Sequence, residues 1–405
     1  MSYYLFISPF ATLSSENNKD SRHIQVANKL ASRGDRVVFL ISNFNHSLKQ
    51  YRSSIDGYPG VSWFLIHQLS YRKNVSFVRF LSLILFQARL ILSVCRLFFS
   101  SGLPCLVLSS SPPDGIVLPV VVLCRFLKVP VIVDILDLWP FSIPSYVFPC
   151  SVVPRLFLTI LFYPLKALFM TGLNLSTAVL TISCEYKSYF EKLGISSTVL
   201  YLGSPLASYD KCTKALLHSY CDNTSYTRPS VFPESRILLY YGSVCPSYDL
   251  KTLSAYCQLY SEIEEPIALY VLGPISDPSS FPDCSCLRHI PSLPFRDSAP
   301  YLMSRLILAY PLAEFASQSV GNRLCDFALT LNPILSTCDL PELAKAGVPV
   351  FIYKNYLQFS QALKQSFSCI DNLPVHSHVG DIFLYRFTSD YVSDSFLKLF
   401  DSCLC

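Results

Sequence analysis

Two hydrophobic periods alternate along the first 200 residues. Short apolar runs at Tyr3–Ser8, Val37–Ser42, Val61–Leu65, Cys105–Leu108, Val129–Ile135, Thr177–Ile182 and Ser197–Tyr201 read as buried strands. Between them lie segments with helical spacing. Ser21–Ser32 places Ile24, Ala27, Leu30 and Ala31 on one face behind an Asp20/Ser21 cap. Phe77–Phe99, Ile116–Leu127, Pro154–Leu173 and Tyr186–Leu193 read the same way. Strands alternating with helices of this length predict βαβ units and a parallel sheet.

A polar, irregular stretch over residues 207–234 reads as a linker or lead-in helix, and a second series follows. Strands are predicted at Arg236–Tyr241, Ile267–Leu272, Leu306–Pro311, Pro333–Ser336 and Val348–Tyr353. Helices are predicted at Leu250–Glu262, Asp297–Ser304, Gly321–Leu329, Asp339–Ala346, Tyr356–Phe367 and Asp390–Leu404. No short repeat is present; the whole α/β series recurs once. The chain is therefore expected to form two Rossmann-like parallel-sheet domains, 1–206 and 207–385. A C-terminal helix, 386–405, is expected to pack back on the first. Such a pair places a cleft between the C-terminal edges of two sheets, where loops and helix N-termini converge on ligands.

Composition narrows the class. Of 405 residues 51% are hydrophobic and 15% charged, which excludes disorder as the main state. Residues 1–200 hold 18 Lys+Arg and 9 Asp+Glu, a net of +9, so the rest of this +4 chain carries −5. No acidic residue occurs from Gly57 to Pro113, while Arg72, Lys73, Arg79, Arg89 and Arg96 sit among Phe, Leu and Ile. Three arginines interrupt Val75–Phe99, so no segment reads as a clean transmembrane helix. A basic, apolar, non-spanning stretch fits a monotopic membrane surface; it also fits a core helix with a solvated basic edge. Nucleic acid is not expected, because the aromatic and Arg residues lie within aliphatic runs. The N-terminus lacks the basic start of a signal peptide. The 16 cysteines are scattered, without a CxxC pair or a His at metal spacing, and read as free thiols. No metal site is expected.

Four places offer chemistry. Asn322-Arg323-Leu324-Cys325-Asp326 opens a helix after a strand and loop. Its N–H groups and Arg323 suit a diphosphate, and Asp326, one turn on, suits ribose hydroxyls; an ordinary capped helix has the same spacing. Asp134 and Asp137 close a buried strand before Trp139-Pro140. A carboxylate there can act as a base toward a hydroxyl, or simply cap the loop. Asp20, Arg22 and His23 follow the first strand without a GxGxxG fingerprint. His46 lies in a polar cluster with Asn45 and Ser47.

Together these residues resemble the GT-B glycosyltransferases, most nearly the family-four group used in capsule, O-antigen and exopolysaccharide assembly. The resemblance is carried by several segments. They are Asp20-Ser21-Arg22-His23 with Gly34-Asp35-Arg36-Val37-Val38; Ser42-Asn43-Phe44-Asn45-His46 with Lys49 and Arg52; Ser110-Ser111-Pro112-Pro113; Asp134 to Pro140; Tyr241-Gly242-Ser243 with Tyr248-Asp249-Leu250; and Gly321 to Phe327. It departs where the group's Glu-x7-Glu pair falls on Gln318 and Asp326, and where Arg323 replaces Lys.

The resemblance implies transfer of a sugar from a nucleotide diphosphate sugar, UDP-linked, to a hydroxyl of a lipid-linked glycan. It implies a retaining reaction, with no cofactor and no bound metal. Arg323 and its helix would neutralise the leaving diphosphate, Asp326 would hold the ribose, and Gly242, Ser243 and Asn322 would complete the donor side. Asp137 would be the acceptor-side carboxylate, with Asp20, Arg22, His23 and His46 lining the acceptor half. The acceptor would be a glycan on a polyprenyl diphosphate, met at the cytoplasmic face of the cell membrane by a peripherally bound enzyme. A nucleotide-sugar 2-epimerase of the same fold and a non-catalytic scaffold partner are the alternatives.

Overall fold

The computed structural model describes residues 3–17, 19–46, 48–55, 57–72, 76–138, 144, 151–208, 232, 234–304, 306–314, 316, 321–372 and 384–404. Ser47, Trp139, Pro140, Gln318 and most of 207–234 lie outside them. The chain divides into two compact units, Met1–Leu200 with Val392–Cys405, and Tyr201–Tyr391.

The first unit is built on a seven-stranded sheet. Its strands are β1 (Tyr4–Ile7), β2 (Val37–Ser42), β5 (Val61–Ile66), β6 (Leu106–Ser111), β7 (Val131–Ile135), β8 (Ala178–Thr181) and β9 (Thr198–Val199), in the order β5-β2-β1-β6-β7-β8-β9. All pairings are parallel. The central strands are buried on both faces, which explains the apolar runs of β1 and β2; β6 and β7 bury polar side chains too, Ser109 to Ser111 and Asp134. A short hairpin, β3 (Phe44–Asn45) with β4 (Gln50–Tyr51), follows β2. The helices are α1 (Ser14–Asn17), α2 (Arg22–Ser32), α3 (Phe77–Ser101), α4 (Val117–Phe126), α5 (Val152–Leu175) and α6 (Cys184–Glu191).

The second unit repeats the architecture with six strands. They are β10 (Ile237–Tyr241), β11 (Ala268–Leu272), β12 (Leu287–Ile290), β13 (Ile307–Tyr310), β14 (Ile334–Ser336) and β15 (Val350–Ile352), ordered β12-β11-β10-β13-β14-β15. Strand β12 was not expected. Its Arg288 and His289 are exposed on a sheet edge, so it lacks the apolar run that marks the others. The helices are α7 (Leu250–Ile263), α8 (Phe295–Met303), α9 (Asn322–Thr330), α10 (Pro341–Lys345), α11 (Tyr356–Asn372) and α12 (Ser389–Leu404). The latter part of α12 belongs to the first unit: Phe400 stacks on Tyr4, Phe396 meets His23 edge-on, and Asp394 pairs with Lys29 at 2.6 Å.

Both sheets have the doubly wound order in which the chain reverses direction beside the first strand, between β1 and β6 and between β10 and β13. Ligand sites in such sheets form outside the strand C-termini at that reversal. By length and composition α3 and α5 are each long and apolar enough to cross a membrane, contrary to the reading of the sequence. The arginines of α3 are spaced so that 18 consecutive residues carry no more than two charges, and α5 has only Arg155 and Lys166 as charged residues. Helix α3 buries Leu83, Phe86, Leu90, Val94 and Leu97 within the first unit. Only Phe169, Gly172 and Leu173 of α5 are buried.

Candidate functional site

In the second unit the reversal point gathers the ends of β10, β11 and β13 with the start of α9. Gly242 follows β10 with φ +125°, a conformation that favours glycine. The gap left by its missing side chain is filled by Arg323: an ideal Cβ at residue 242 would overlap Nη2 and stand 2.6 Å from Cζ. Gly273 follows β11 with φ +149°, and its own Cβ would stand 2.7 Å from the Gly242 carbonyl carbon. At Gly273 the approach of the β10 end leaves no room for a side chain; at Gly242 the Arg323 side chain takes that room.

Arg323 lies over two phenol rings, 4.6 Å from the Tyr240 centroid and 4.2 Å from that of Tyr248. Tyr248 in turn meets Tyr310 edge-on. Burial works against the guanidinium charge, but Tyr240, Tyr248 and Tyr310 outweigh it and hold the Arg323 pKa above its ordinary value. Burial also keeps the neighbouring phenols protonated, with Tyr241 raised to about 12. Among the described residues Arg323 Nη1 has no hydrogen-bond partner. Arg323 is the second residue of α9, so the backbone N–H groups of the helix start stand beside it. Ser243 offers its carbonyl to the Tyr240 hydroxyl at 2.7 Å, and Asn322 is exposed. Asp326 is 2% exposed and near Tyr241, one turn along α9.

The five residues of the donor set therefore occupy one edge of one sheet. Gly242 and Arg323 are in contact, while Asp326 is enclosed rather than open to solvent. Tyr240, Tyr248 and Tyr310 were missed. Tyr240 and Tyr310, near the ends of apolar strands, read as core until the strand order shows which edge they crown, and Tyr248, quoted for the resemblance, had no role there.

In the first unit the expected acceptor residues separate into three groups. Arg22 and His23 are buried. Arg22 Nε donates to Asp134 Oδ2 at 2.9 Å and Nη2 pairs with Asp134 Oδ1, while His23 bridges Ser8 Oγ at 2.8 Å and Asp134 Oδ2 at 2.5 Å. Burial pushes the Asp134 carboxyl up, but Arg22 and then His23 outweigh it and hold it below the usual carboxylate range. These side chains form one buried network joining α2 to the ends of β1 and β7.

Asp20 braces a loop: its Oδ1 accepts from the Ser14 N–H at 2.7 Å and the Tyr58 hydroxyl at 2.6 Å.

His46 and Asp137 belong to the third group. His46 Nδ1 is 2.6 Å from the Tyr71 hydroxyl and 3.5 Å from Lys49 Nζ. Lys49 Nζ lies 4.7 Å and Arg79 Cζ 5.5 Å from the Tyr71 ring centroid. Burial, then Arg79 and Lys49, push the His46 pKa down to about 3, so the ring is neutral. Asp137 is exposed just beyond β7 and lies near enough to Arg79 and Asp114 to act on their charges. Asp114, directly after Ser-Ser-Pro-Pro, is 3% exposed. The Ser111 hydroxyl donates to its Oδ1, and burial holds its carboxyl well above the usual range. Its Oδ2 has no partner among the described residues. Lys49, Tyr71, Arg79 and Asp114 were not assigned roles from the sequence, because they come from the β3–β4 hairpin, the segment between β5 and α3, α3 itself and the loop after β6.

Among the described residues no three His, Cys, Asp or Glu side chains gather into a metal-binding group.

No protein-family model matches the sequence, and no curated protein matches it. Solved structures do. The Anabaena protein HepE, crystallised with UDP, aligns over 99% of this chain and 100% of its own, at 10% identity and a TM-score of 0.59. The lipopolysaccharide outer core galactosyltransferase WaaB aligns over 99% of each chain, at 12% identity and a TM-score of 0.57. A Listeria monocytogenes protein assigned as a UDP-N-acetylglucosamine 2-epimerase covers 98% of this chain and 94% of its own, at 11% identity and a TM-score of 0.54. The chain has the GT-B fold of these nucleotide-sugar proteins.

Proposed function

We propose that this protein transfers a sugar from a UDP-linked donor to a hydroxyl of a lipid-linked glycan in bacterial surface polysaccharide assembly, as a member of the family-four group. The observation that carries the reading is the Arg323 cradle. A planar guanidinium is fixed between Tyr240 and Tyr248, over Gly242, at the start of α9 and at the reversal point of its sheet. A leaving diphosphate needs such a preorganised cation with helix N–H groups beside it. Gly242, Ser243 and Asn322 complete the donor side, with Asp326 toward the ribose. Asp137 serves as the acceptor-side carboxylate and His46 contacts the acceptor. The UDP bound by HepE supports the choice of nucleotide. The reaction is read as retaining and independent of metal.

The apolar helices support a membrane-borne acceptor on the cytoplasmic face. Helices α3, α4 and α5 contain Arg79, Arg89, Arg96, Arg125, Arg155 and Lys166 and no acidic residue. Phe77, Phe99, Phe126 and Phe157 are exposed at 78%, 93%, 84% and 66%. Exposed apolar side chains on basic helices suit the headgroup boundary of an anionic bilayer. A 2-epimerase acting on a soluble nucleotide sugar has no use for them.

Thermal-shift titration with UDP, GDP and dTDP tests the reading. UDP is expected to stabilise the protein, and no shift with any nucleotide would leave the scaffold alternative standing. Arg323→Ala should weaken UDP binding by about 1.5–3 kcal/mol, the worth of a charge-assisted contact. Asp137→Ala should abolish transfer and leave UDP affinity within a few-fold; retained transfer removes Asp137 from the site.

A further inference from the structure

Two free thiols of the second unit are in contact. Cys284 and Cys286 occupy the first and third positions of the turn that opens β12, where the Leu287 N–H donates to the Cys284 carbonyl at 3.1 Å. Their sulfurs stand 2.9 Å apart. The turn is pinned at both cysteines. The Cys286 carbonyl accepts from the Leu269 N–H of β11 at 2.9 Å, and Cys284 Sγ lies 3.7 Å from the Ser254 carbonyl of α7. In a turn held this way little conformational entropy remains to be lost on joining the two side chains. A disulfide bond is about 2.05 Å long, so joining them brings the sulfurs closer by about 0.9 Å.

One of the two sulfurs is also reachable. Cys286 lines a cavity of about 280 Å³ at the N-terminal ends of β11 and β12, the edge of the sheet opposite the donor residues. Arg288 and Glu234 give its lining a charge of each sign, which suits a small zwitterionic molecule. Cys284 is held on the α7 side instead, against Ser254. Cys257, fully buried on α7, is a third thiol close enough to act on the charges of both.

We propose that Cys284 and Cys286 are a redox-active dithiol, oxidised reversibly to an intrachain disulfide by the disulfide of a small zwitterionic thiol such as glutathione. The Cys286 thiolate attacks one sulfur of the small disulfide; that S–S bond breaks, and one small thiol leaves with the proton that Cys286 gave up. The Cys284 thiolate then attacks Cys286 Sγ, the mixed disulfide breaks, and the second small thiol leaves with the proton of Cys284. Two electrons and two protons thus pass from the dithiol to the small disulfide. Burial and then Cys284 push the Cys286 thiol up to about 12, so its thiolate is scarce near neutral pH. Exchange is therefore slow, and the pair stores a redox state rather than catalysing exchange in others. The proposal is independent of the sugar-transfer reading, and its test uses no nucleotide.

The test is equilibration of the whole protein, without air, in mixtures of reduced and oxidised glutathione, followed by acid quenching, unfolding, alkylation of the remaining thiols and mass spectrometry. Cleavage before aspartate releases both cysteines on one peptide, Asp283–Arg296, and Cys257 on another, Asp249–Ser276. As oxidised glutathione rises, the first peptide should pass from doubly alkylated to unalkylated with the loss of two hydrogens, and dithiothreitol should restore it. The Cys257 peptide should stay alkylated. The chain unfolded in denaturant should need at least tenfold more oxidised glutathione for half-conversion, because the turn is lost. In Cys284→Ser, Cys286 should be trapped with one glutathione attached. A pair that stays doubly alkylated, a bridge to Cys257, or equal conversion in the folded and unfolded chain overturns the proposal, as does an unmodified Cys286 in the variant. The first three outcomes are read on the wild type, so the decision stands should the variant not fold.

Discussion

Arg323 Nη2 stands where residue 242 would carry a side chain, and an ideal Cβ on Gly242 would lie 2.6 Å from Arg323 Cζ. Glycine is required twice there, by the contact and by φ +125°. The guanidinium has no room to retreat, because Tyr240 and Tyr248 hold its other sides.

Gly242→Ala should therefore act on binding and on folding together. The left-handed backbone costs about 1–3 kcal/mol, and the methyl must push Arg323 out of its cradle. UDP affinity in the thermal-shift titration should fall at least tenfold, with a lowered unfolding midpoint. Wild-type affinity in this variant would show that Arg323 does not need the position it holds.

Much of this architecture was legible in the sequence because both sheets are parallel and buried on both faces. Runs such as Val37–Ser42 and Ile307–Tyr310 have no polar interruption, and the helices between them keep a 3.6 period. The C-terminal edges, and so the general place of Gly242, Arg323 and Asp137, followed from that alternation. What stayed hidden depends on convergence. His23 reads as a loop-edge histidine until β7 brings Asp134 to it. Tyr71 and Arg79 read as part of a basic apolar stretch until the β3–β4 hairpin brings Lys49 and His46 to the same ring. Partners separated by 25 to 112 residues leave no local spacing to detect.

The Asp134 network makes a prediction about stability. Asp134→Asn keeps the shape but strands the buried Arg22 charge, and breaking one partner of such a pair costs about 3–5 kcal/mol. The pH dependence has a definite sign. The folded carboxyl titrates below its unfolded value, so its contribution is complete above the unfolded carboxylate pKa of about 4 and is lost as pH falls through the folded value. Chemical denaturation of the wild type should show stability dropping below about pH 4. The Asp134→Asn variant should give a lower and flatter curve, and equal slopes in that window would mean the ion pair adds nothing.

The membrane attachment proposed above is expected to depend on α5 as much as on α3. Leu156, Phe157, Ile160 and Leu161 are all more than half exposed, with Arg155 and Lys166 on the same helix. Transfer of one large apolar side chain out of water is worth about 1.5–3 kcal/mol, and each cation near anionic lipid about 1 kcal/mol. Phe157→Asp with Ile160→Asp removes two apolar anchors and adds two charges of the repelled sign. Vesicle co-sedimentation should fall at least a hundredfold, and high salt should release the wild type. Because both side chains are open to solvent, the unfolding midpoint should not move, which separates lost anchoring from lost structure. Undiminished sedimentation of the double variant would leave α5 out of the membrane face and confine attachment to α3.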